Sequence, residues 1–289
     1  MTAYDRAMDS LPARIRLVIF DLDGVVYRGD EPVPGAADLV AWLHERTVAV
    51  RFATNNSMVA RAGYVERLGG MGISTTEAEI VTSSSATVDH LRRHAPDVHR
   101  VLAIGASGMQ QELAAAGFDV DMARDLVPSA PGAALEQSYD AVIVGLDPTF
   151  SYDALAAGMS AVLAGARLIA TNADSRYPTP SGFLPGAGSI VAALVAATGV
   201  PAEVIGKPEP AMFEAILEST GIPGHEAVVI GDNPASDVVG ARSAGCAAIL
   251  VLTGVADADL VAQLAGDARP HAVARDPAGV RALLEPIVS

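Results

Sequence analysis

The stretch Leu17-Val18-Ile19-Phe20-Asp21-Leu22-Asp23-Gly24-Val25-Val26-Tyr27 decides the fold. A short, unbroken, β-rich apolar run ends abruptly in two aspartates one residue apart, then a glycine. Such a run suits a strand buried on both faces of a parallel sheet. Ligands in open α/β sheets bind just beyond the carboxyl ends of the strands. Two carboxylates placed there suit a metal site, a nucleophile with an acid/base partner, or both. Gly24 permits a sharp turn that brings backbone N–H groups toward an anion. On its own the stretch reads equally well as a strand followed by an Asp-rich turn. Distant residues decide between the two.

Strand-like runs alternate with helical patterns through nearly the whole chain, which marks an α/β fold with a doubly wound parallel sheet. A turn-rich segment, Gly29 to Gly35, precedes a helix over 36–46. The second strand, 48–53, runs into Thr54-Asn55-Asn56-Ser57, small polar residues suited to a helix N-cap and to anion binding. A helix over 59–68, a short strand 80–82 and a helix capped by Ser83 follow. From there the pattern restarts: strands at 101–104, 141–144 and 167–170, helices opened by Ser107 and Ser151, a long polar loop from Thr171 to Gly188, and a helix over 189–198. The first style then returns with Gly206-Lys207-Pro208, a helix opened by Pro210, and the strand Ala227-Val228-Val229-Ile230-Gly231 ending at Asp232. Asp237 is expected to open the next helix, and 247–252 is a further strand. This restart implies an inserted domain: a core made of 1–85 and 203–289, and an insertion over 86–202.

Composition sets outer limits. With 289 residues, 51% of them hydrophobic and 18% charged, the chain can bury one large core or two ordinary ones. No apolar run approaches the ~20 residues of a membrane span. Met1 to Ser10 carries mixed charge and no apolar stretch of the signal-peptide kind. A single cysteine, Cys246, excludes internal disulfides and fits a reducing, cytoplasmic setting. Placed at the entry to an apolar run, it reads as a small buried hydrophobe. The net charge of −15 argues against nucleic-acid polymers and anionic membranes as partners. An anionic substrate then needs local cations: a metal and a few placed Lys or Arg.

Four strand ends carry reactive groups: Asp21 with Asp23, Thr54 with Asn55, Lys207, and Asp232 with Asp237. In a parallel sheet these ends share one edge, so the groups can converge. The order Asp-x-Asp, Thr/Asn, Lys, Gly-Asp-x4-Asp resembles the haloacid dehalogenase (HAD) superfamily. Asp-Leu-Asp-Gly-Val-Val-Tyr, Val33-Pro34-Gly35-Ala36, Thr54-Asn55-Asn56-Ser57, Gly206-Lys207-Pro208 and Gly231-Asp232-Asn233 are similar to its NagD/4-nitrophenyl phosphatase branch. Each motif is weak alone; in this order they are highly specific.

The resemblance implies a Rossmann-like HAD core with an inserted α/β cap. It also implies Mg2+-dependent hydrolysis of a small phosphorylated metabolite through an aspartyl-phosphate. Asp21 is then the nucleophile and Asp23 the acid/base. Asp21, Asp232 and the backbone carbonyl of Asp23 bind the metal, with Asp237 and Asn233 in support. Thr54, Asn55 and Lys207 hold the phosphate. Asp147, Asp174 and Arg176 are candidate specificity residues in the cap, and pairing through the cap as a homodimer is expected. The chemistry is coherent: two unit charges ~4 Å apart cost about 4 kcal/mol at an effective dielectric of 20, so a carboxylate cannot approach a phosphate dianion without cations.

Other readings exist for the same groups. A phosphorylatable Asp beside a metal and a lysine also describes a signalling receiver module, and transfer to a second substrate would make a phosphotransferase. The insertion, and Asp23 placed to drive hydrolysis, favour the phosphatase. His90 and His94, four apart on a helix, lack the Glu of His-Glu-x-x-His and read as a solvated face.

Overall fold

The computed structural model describes residues 6–7, 10–126, 135–179 and 182–288. Most of the Met1–Ser10 stretch and Pro180 in the polar loop lie outside the described residues. The chain divides into two compact units. Met1–Thr54, Tyr64–Val81 and Lys207–Ser289 form the first; Asn55–Gly63 and Thr82–Gly206 form the second. The second thus takes in 55–63 as well as a continuous segment longer than the 86–202 expected.

In the first unit the strands Leu17–Phe20, Ala227–Gly231 and Ala247–Val251 are buried at every position. That is why their sequences are unbroken apolar runs rather than alternating ones. The sheet has seven strands in the order Arg6–Ala7, Ala272–Ala274, Ala247–Val251, Ala227–Gly231, Leu17–Phe20, Ala49–Thr54, Ile80–Thr82. Parallel pairs join the five strands from Ala272–Ala274 to Ala49–Thr54, and Arg6–Ala7 runs antiparallel at one edge. The chain winds outward from Leu17–Phe20 in one direction, then returns to its other side at Ala227–Gly231. Leu17–Phe20 is therefore the turning point of the strand order, where an open α/β sheet has its binding crevice. Val18, Phe20, Val50, Phe52, Val228 and Ile230 form one core with Leu39 and Leu43 of the helix Ala36–Glu45 and with Val280 and Leu284 of the helix Pro277–Leu284.

The second unit is a five-stranded, all-parallel sheet: Glu203–Val204, Arg167–Ala170, Ala141–Val144, Arg100–Ile104, Asp119–Met122. Leu102, Ile104, Val142, Val144, Leu168 and Ala170 share a core with Ala154, Ala157 and Ala161 of the helix Tyr152–Leu163 and with Ile190 and Leu194 of the helix Ala187–Thr198. Among the described residues, no helix is long and apolar enough to cross a membrane.

Several local expectations are corrected. The Thr171–Gly188 segment is not all loop: Arg176–Thr179 and Gly182–Pro185 form an antiparallel hairpin, and the helix begins at Ala187. Gly182–Pro185 is exposed throughout, so no burial pattern marks it in sequence. Thr82, not Ser83, caps the helix Ser83–His94, its hydroxyl accepting from Ser85 N–H. The helix Ser107–Ala115 has no side-chain cap, whereas Ser151 does accept from Ala154 N–H. The turn-rich segment after Asp23 holds a small hairpin, Tyr27–Arg28 with Glu31–Pro32. Thr54–Ser57 caps no helix, since the next helix is Arg61–Gly70.

Cys246 is buried, and desolvation pushes its thiol up to about 12. A thiol so shifted is almost wholly protonated at pH 8 and a poor nucleophile. One cysteine equivalent should react with a chromogenic disulfide reagent in guanidinium and almost none in native buffer over an hour. Fast native reaction would place this thiol at the surface.

Candidate active site

The turn after Leu17–Phe20 shapes the first part of the site. Asp21 N–H donates to Ile230 O at 2.9 Å, which locks the residue to the neighbouring strand. The chain then folds back on itself: Gly24 N–H donates to Tyr27 O at 2.7 Å, and the Val25 and Val26 N–H groups donate to Leu22 O at 3.3 and 2.9 Å. Gly24 has φ +81°, and a Cβ there would lie 2.3 Å from Asp232 Oδ2. Only glycine permits both the turn and that approach.

Four of the expected residues meet in one buried cluster. Asp21, Lys207, Asp232 and Asp237 are each no more than 8% exposed. Lys207 Nζ donates to Asp21 Oδ1 at 2.5 Å, to Asp237 Oδ1 at 2.7 Å and to Ala53 O at 3.2 Å. One carboxylate oxygen each from Asp21, Asp232 and Asp237 lies within 4.8 Å of the others. Asp237 is fully engaged, since its Oδ2 accepts Asn233 N–H at 3.1 Å. Asp232 Oδ2 accepts Val255 N–H at 2.6 Å.

The helical segment after Asp232 begins at Pro234, with Asn233 as its cap: Asn233 Oδ1 accepts Ala235 N–H at 3.0 Å. Asp237 therefore sits inside the first helical turn, a π-type turn over Pro234–Val238, and does not open it. Turns of that kind recur at functional sites.

The electrostatics of the cluster are unbalanced. Burial pushes the Asp21 carboxyl well above its ordinary range; Lys207 opposes this, while Asp237 and Asp232 add to it. Asp232 is pushed up to about 7, first by burial and then by Asp237. Burial would lower Lys207, but Asp21 and Asp237 more than offset it and hold the ammonium charged. Three buried carboxylates face one buried cation. Hard oxygen donors with an excess of negative charge fit a hard divalent cation.

Asp23 is exposed as a residue. Its carboxyl is nonetheless pushed up by desolvation, against the Arg67 guanidinium and the N–H groups of Gly24 and Gly29. Thr54 is buried at the end of the strand Ala49–Thr54, one residue beyond the carbonyl that receives Lys207.

The remaining expected residues lie in the second unit. Asn55 Nδ2 donates to Asp174 Oδ2 at 3.0 Å, and Asn55 O accepts from Ser83 Oγ at 2.7 Å and Asn172 Nδ2 at 2.8 Å. Asp147 Oδ1 accepts Thr149 N–H at 2.8 Å and the Thr149 hydroxyl at 2.7 Å, an Asx-type turn. Arg176 is exposed on the hairpin, with its guanidinium 5.7 Å from the Phe183 ring centroid. His90 Nε2 lies 2.7 Å from Glu203 Oε1, and its ring centroid is 4.8 Å from that of His94.

Sequence reasoning missed the loop after Ala247–Val251. Val255 supplies an N–H to Asp232, and a Cβ on Gly254 would sit 1.9 Å from Asp232 Oδ2. Thr253 Oγ1 donates to Gly24 O at 2.6 Å. The signal was its position: a glycine just past a strand end, on the edge where the other strand ends carry their reactive groups.

Known proteins resemble this chain over most of its length. The family model described as haloacid dehalogenase-like hydrolase matches residues 18–119, and a HAD-hydrolase-like model matches 204–279. The chain is similar to 5'-nucleotidase YutF of Bacillus subtilis, 34% identical over 237 residues, covering 82% of this chain and 87% of that one. Among solved structures it is similar to 4-nitrophenylphosphatase from Thermotoga maritima, with a TM-score of 0.83 and 29% identity over 93% of this chain and 97% of the other. It is also similar to glycerol phosphate phosphatase from Mycobacterium tuberculosis in complex with magnesium, with a TM-score of 0.81 and 32% identity, covering 94% of this chain and 78% of that one.

Proposed function

Since the chain belongs to the haloacid dehalogenase-like hydrolase family, we propose that it is a Mg2+-dependent phosphomonoesterase acting on a small phosphorylated metabolite through Asp21. The observation that carries this reading is the buried cluster of Asp21, Asp232, Asp237 and Lys207. The names of its relatives, a 5'-nucleotidase and two phosphatases, support the reaction class.

Asp21, Asp232 and the Asp23 carbonyl would hold the Mg2+, with Asp237 and Asn233 bracing that set. When bound, the ion offsets the repulsion between a carboxylate nucleophile and a phosphate dianion. Lys207 orients Asp21 and offsets further charge. Its ammonium contacts Asp21 at 2.5 Å, and Asp237 steadies it from another side.

Of the N–H groups that follow Asp21, those of Gly24, Val25 and Val26 are spent within the turn. Those of Leu22 and Asp23, with Thr54, would hold the phosphate oxygens. Asp21 attacks phosphorus, and the bond from phosphorus to the ester oxygen breaks with its electron pair moving to that oxygen. Asp23 donates the proton that oxygen needs. In the second half Asp23 takes a proton from water as the water attacks phosphorus. The bond to Asp21 breaks, and inorganic phosphate leaves with Asp21 restored.

The test is hydrolysis of 4-nitrophenyl phosphate by the folded protein with Mg2+, with EDTA, and by Asp21→Asn in parallel. Activity that survives both chelation and substitution overturns the reading. Phosphate release from sugar phosphates, nucleoside monophosphates and glycerol phosphate then ranks substrate classes.

Metal binding has its own signature in stability. Asp232, raised from 3.8 to about 7 in the metal-free fold, holds a proton that the unfolded chain has released. Its contribution to stability is complete below about pH 4 and is lost as pH rises through 7. Mg2+ must displace that proton, so it stabilises more as pH rises through the same window. The rise in Tm on adding Mg2+ should be larger at pH 8 than at pH 5.5. Equal shifts at both would remove Asp232 from the metal's ligands.

A further inference from the structure

The hairpin that follows Asp23 is held by a residue from a different element. Arg67, in the last turn of the helix Arg61–Gly70, places its guanidinium 4.0 Å from the centroid of the Tyr27 ring. The same guanidinium donates to Gly29 O and approaches Asp30 Oδ1 at 3.3 Å. Tyr27 is buried at 2% exposure, so the stack closes over an ordered ring. Gly29 forms the tip of the hairpin with φ +54°. Its N–H serves the Asp23 carboxylate while its carbonyl receives Arg67.

Tyr27 is tied to the same loop twice. Its carbonyl accepts Gly24 N–H at 2.7 Å, and its own N–H donates to Leu22 O at 3.2 Å, so its backbone bridges Asp23. On the other side Arg28 Nε donates to Thr253 O, and Thr253 Oγ1 to Gly24 O. The loop carrying Asp23 thus hangs between two arginine anchors.

We propose that Arg67 is the positioning residue for leaving-group protonation: by clamping the Tyr27 ring and the Gly29 turn together, it holds the Asp23 carboxyl where the ester oxygen departs. This rests on Asp23 being the acid, as proposed above. An arginine suits the task because one planar group stacks on a ring and donates in its own plane at once; a lysine ammonium cannot do both. The contact with Asp30 is secondary, since that carboxylate is fully exposed and such pairs contribute little.

A merely structural arginine and an acid-positioning one differ in what their loss does to different esters. A nitrophenolate leaves with little help from a proton, whereas phenolate and benzyl alkoxide need it increasingly. kcat/KM covers the step in which the leaving group departs, so it is measured for 4-nitrophenyl, phenyl and benzyl phosphate. Arg67→Gln should lose less than about 3-fold on the nitrophenyl ester and about 10- to 100-fold on the benzyl ester, because small misplacements of a catalytic group cost up to ~100-fold. Arg67→Lys should fall between, and Asp30→Asn should keep the wild-type pattern. Melting curves and circular dichroism confirm that each variant is folded.

A uniform loss across the three esters in both Arg67 variants, or no loss, overturns the proposal. Asp23→Asn separates this from the reading beneath it. If Asp23→Asn steepens the dependence on leaving group while Arg67→Gln does not, Asp23 stays the acid and Arg67 is not its positioner. If neither variant changes the dependence, the assignment of Asp23 as the acid fails.

Discussion

Asp21→Asn is expected to lower kcat for 4-nitrophenyl phosphate by about 1,000-fold or more, the usual scale for losing a covalent nucleophile, while the metal-free protein stays folded and melts no lower than wild type. Both halves come from the same geometry. The asparagine keeps the shape of the side chain but cannot form an acyl phosphate. It also relieves a charge imbalance: Asp21 is buried beside Asp237 and Asp232, which push its carboxyl up, with only Lys207 opposing. Removing that charge leaves Lys207 paired with Asp237 at 2.7 Å, so no buried ammonium is stranded. Active sites often give up stability in this way for chemistry. Rate and melting temperature, measured on one preparation with EDTA present for the melt, check both. Activity within tenfold of wild type would mean that Asp21 is not the nucleophile. A large drop in Tm would mean that the loss of rate reports unfolding instead.

Much of the site could be read from sequence because central parallel strands advertise themselves. Leu17–Phe20 and Ala227–Gly231 are buried on both faces, so each is an apolar run whose end stands out as the first polar residue. Parallel pairing then puts Asp21 and Asp232 on one edge without any need to know side-chain positions. Lys207 does not follow from that logic: the strand before it, Glu203–Val204, pairs with Arg167–Ala170 in the sheet of the second unit, so only its Gly206-Lys207-Pro208 context marked it.

What could not be read acts through backbone atoms or packing. Val255 contributes only an N–H, Gly254 only the absence of a Cβ, and Arg67 a stack and a bond to a carbonyl. None of these leaves a pattern of reactive side chains. Asn55 shows a different limit. It is adjacent in sequence to Thr54, yet its side chain and carbonyl bond within the second unit, to Asp174, Ser83 and Asn172. Adjacency along the chain at a domain crossing does not fix which unit a side chain serves. The Arg176–Pro185 hairpin was hidden because its second strand is exposed and carries no burial rhythm.

Lys207→Met is expected to act in the opposite direction on stability and in the same direction on rate. The lysine Nζ has three oxygen partners, Asp21 Oδ1, Asp237 Oδ1 and Ala53 O, and the side chain is 3% exposed. Methionine fills the volume of the stem but leaves Asp21, Asp232 and Asp237 buried with no ammonium. Breaking a buried pair by removing one partner typically costs about 3–5 kcal/mol. The metal-free variant should therefore melt well below wild type at pH 8. The deficit should shrink toward pH 5, where Asp232, pushed up to about 7, regains its proton, and Mg2+ should recover more Tm in the variant than in wild type, because it becomes the cation that replaces the lost ammonium in the cluster. Catalysis should fall by about 100-fold or more in kcat/KM, the scale for losing one preorganised electrostatic contact. Lys207→Arg should not restore it, since a planar fork cannot meet three oxygens arranged around one compact ammonium. Unchanged melting at pH 8 together with kcat/KM within threefold of wild type would make Lys207 a bystander. The opposed signs carry the argument: an active site short of positive charge gains stability when a carboxylate is neutralised and loses it when the ammonium is removed, whereas a cluster already balanced would lose stability from both.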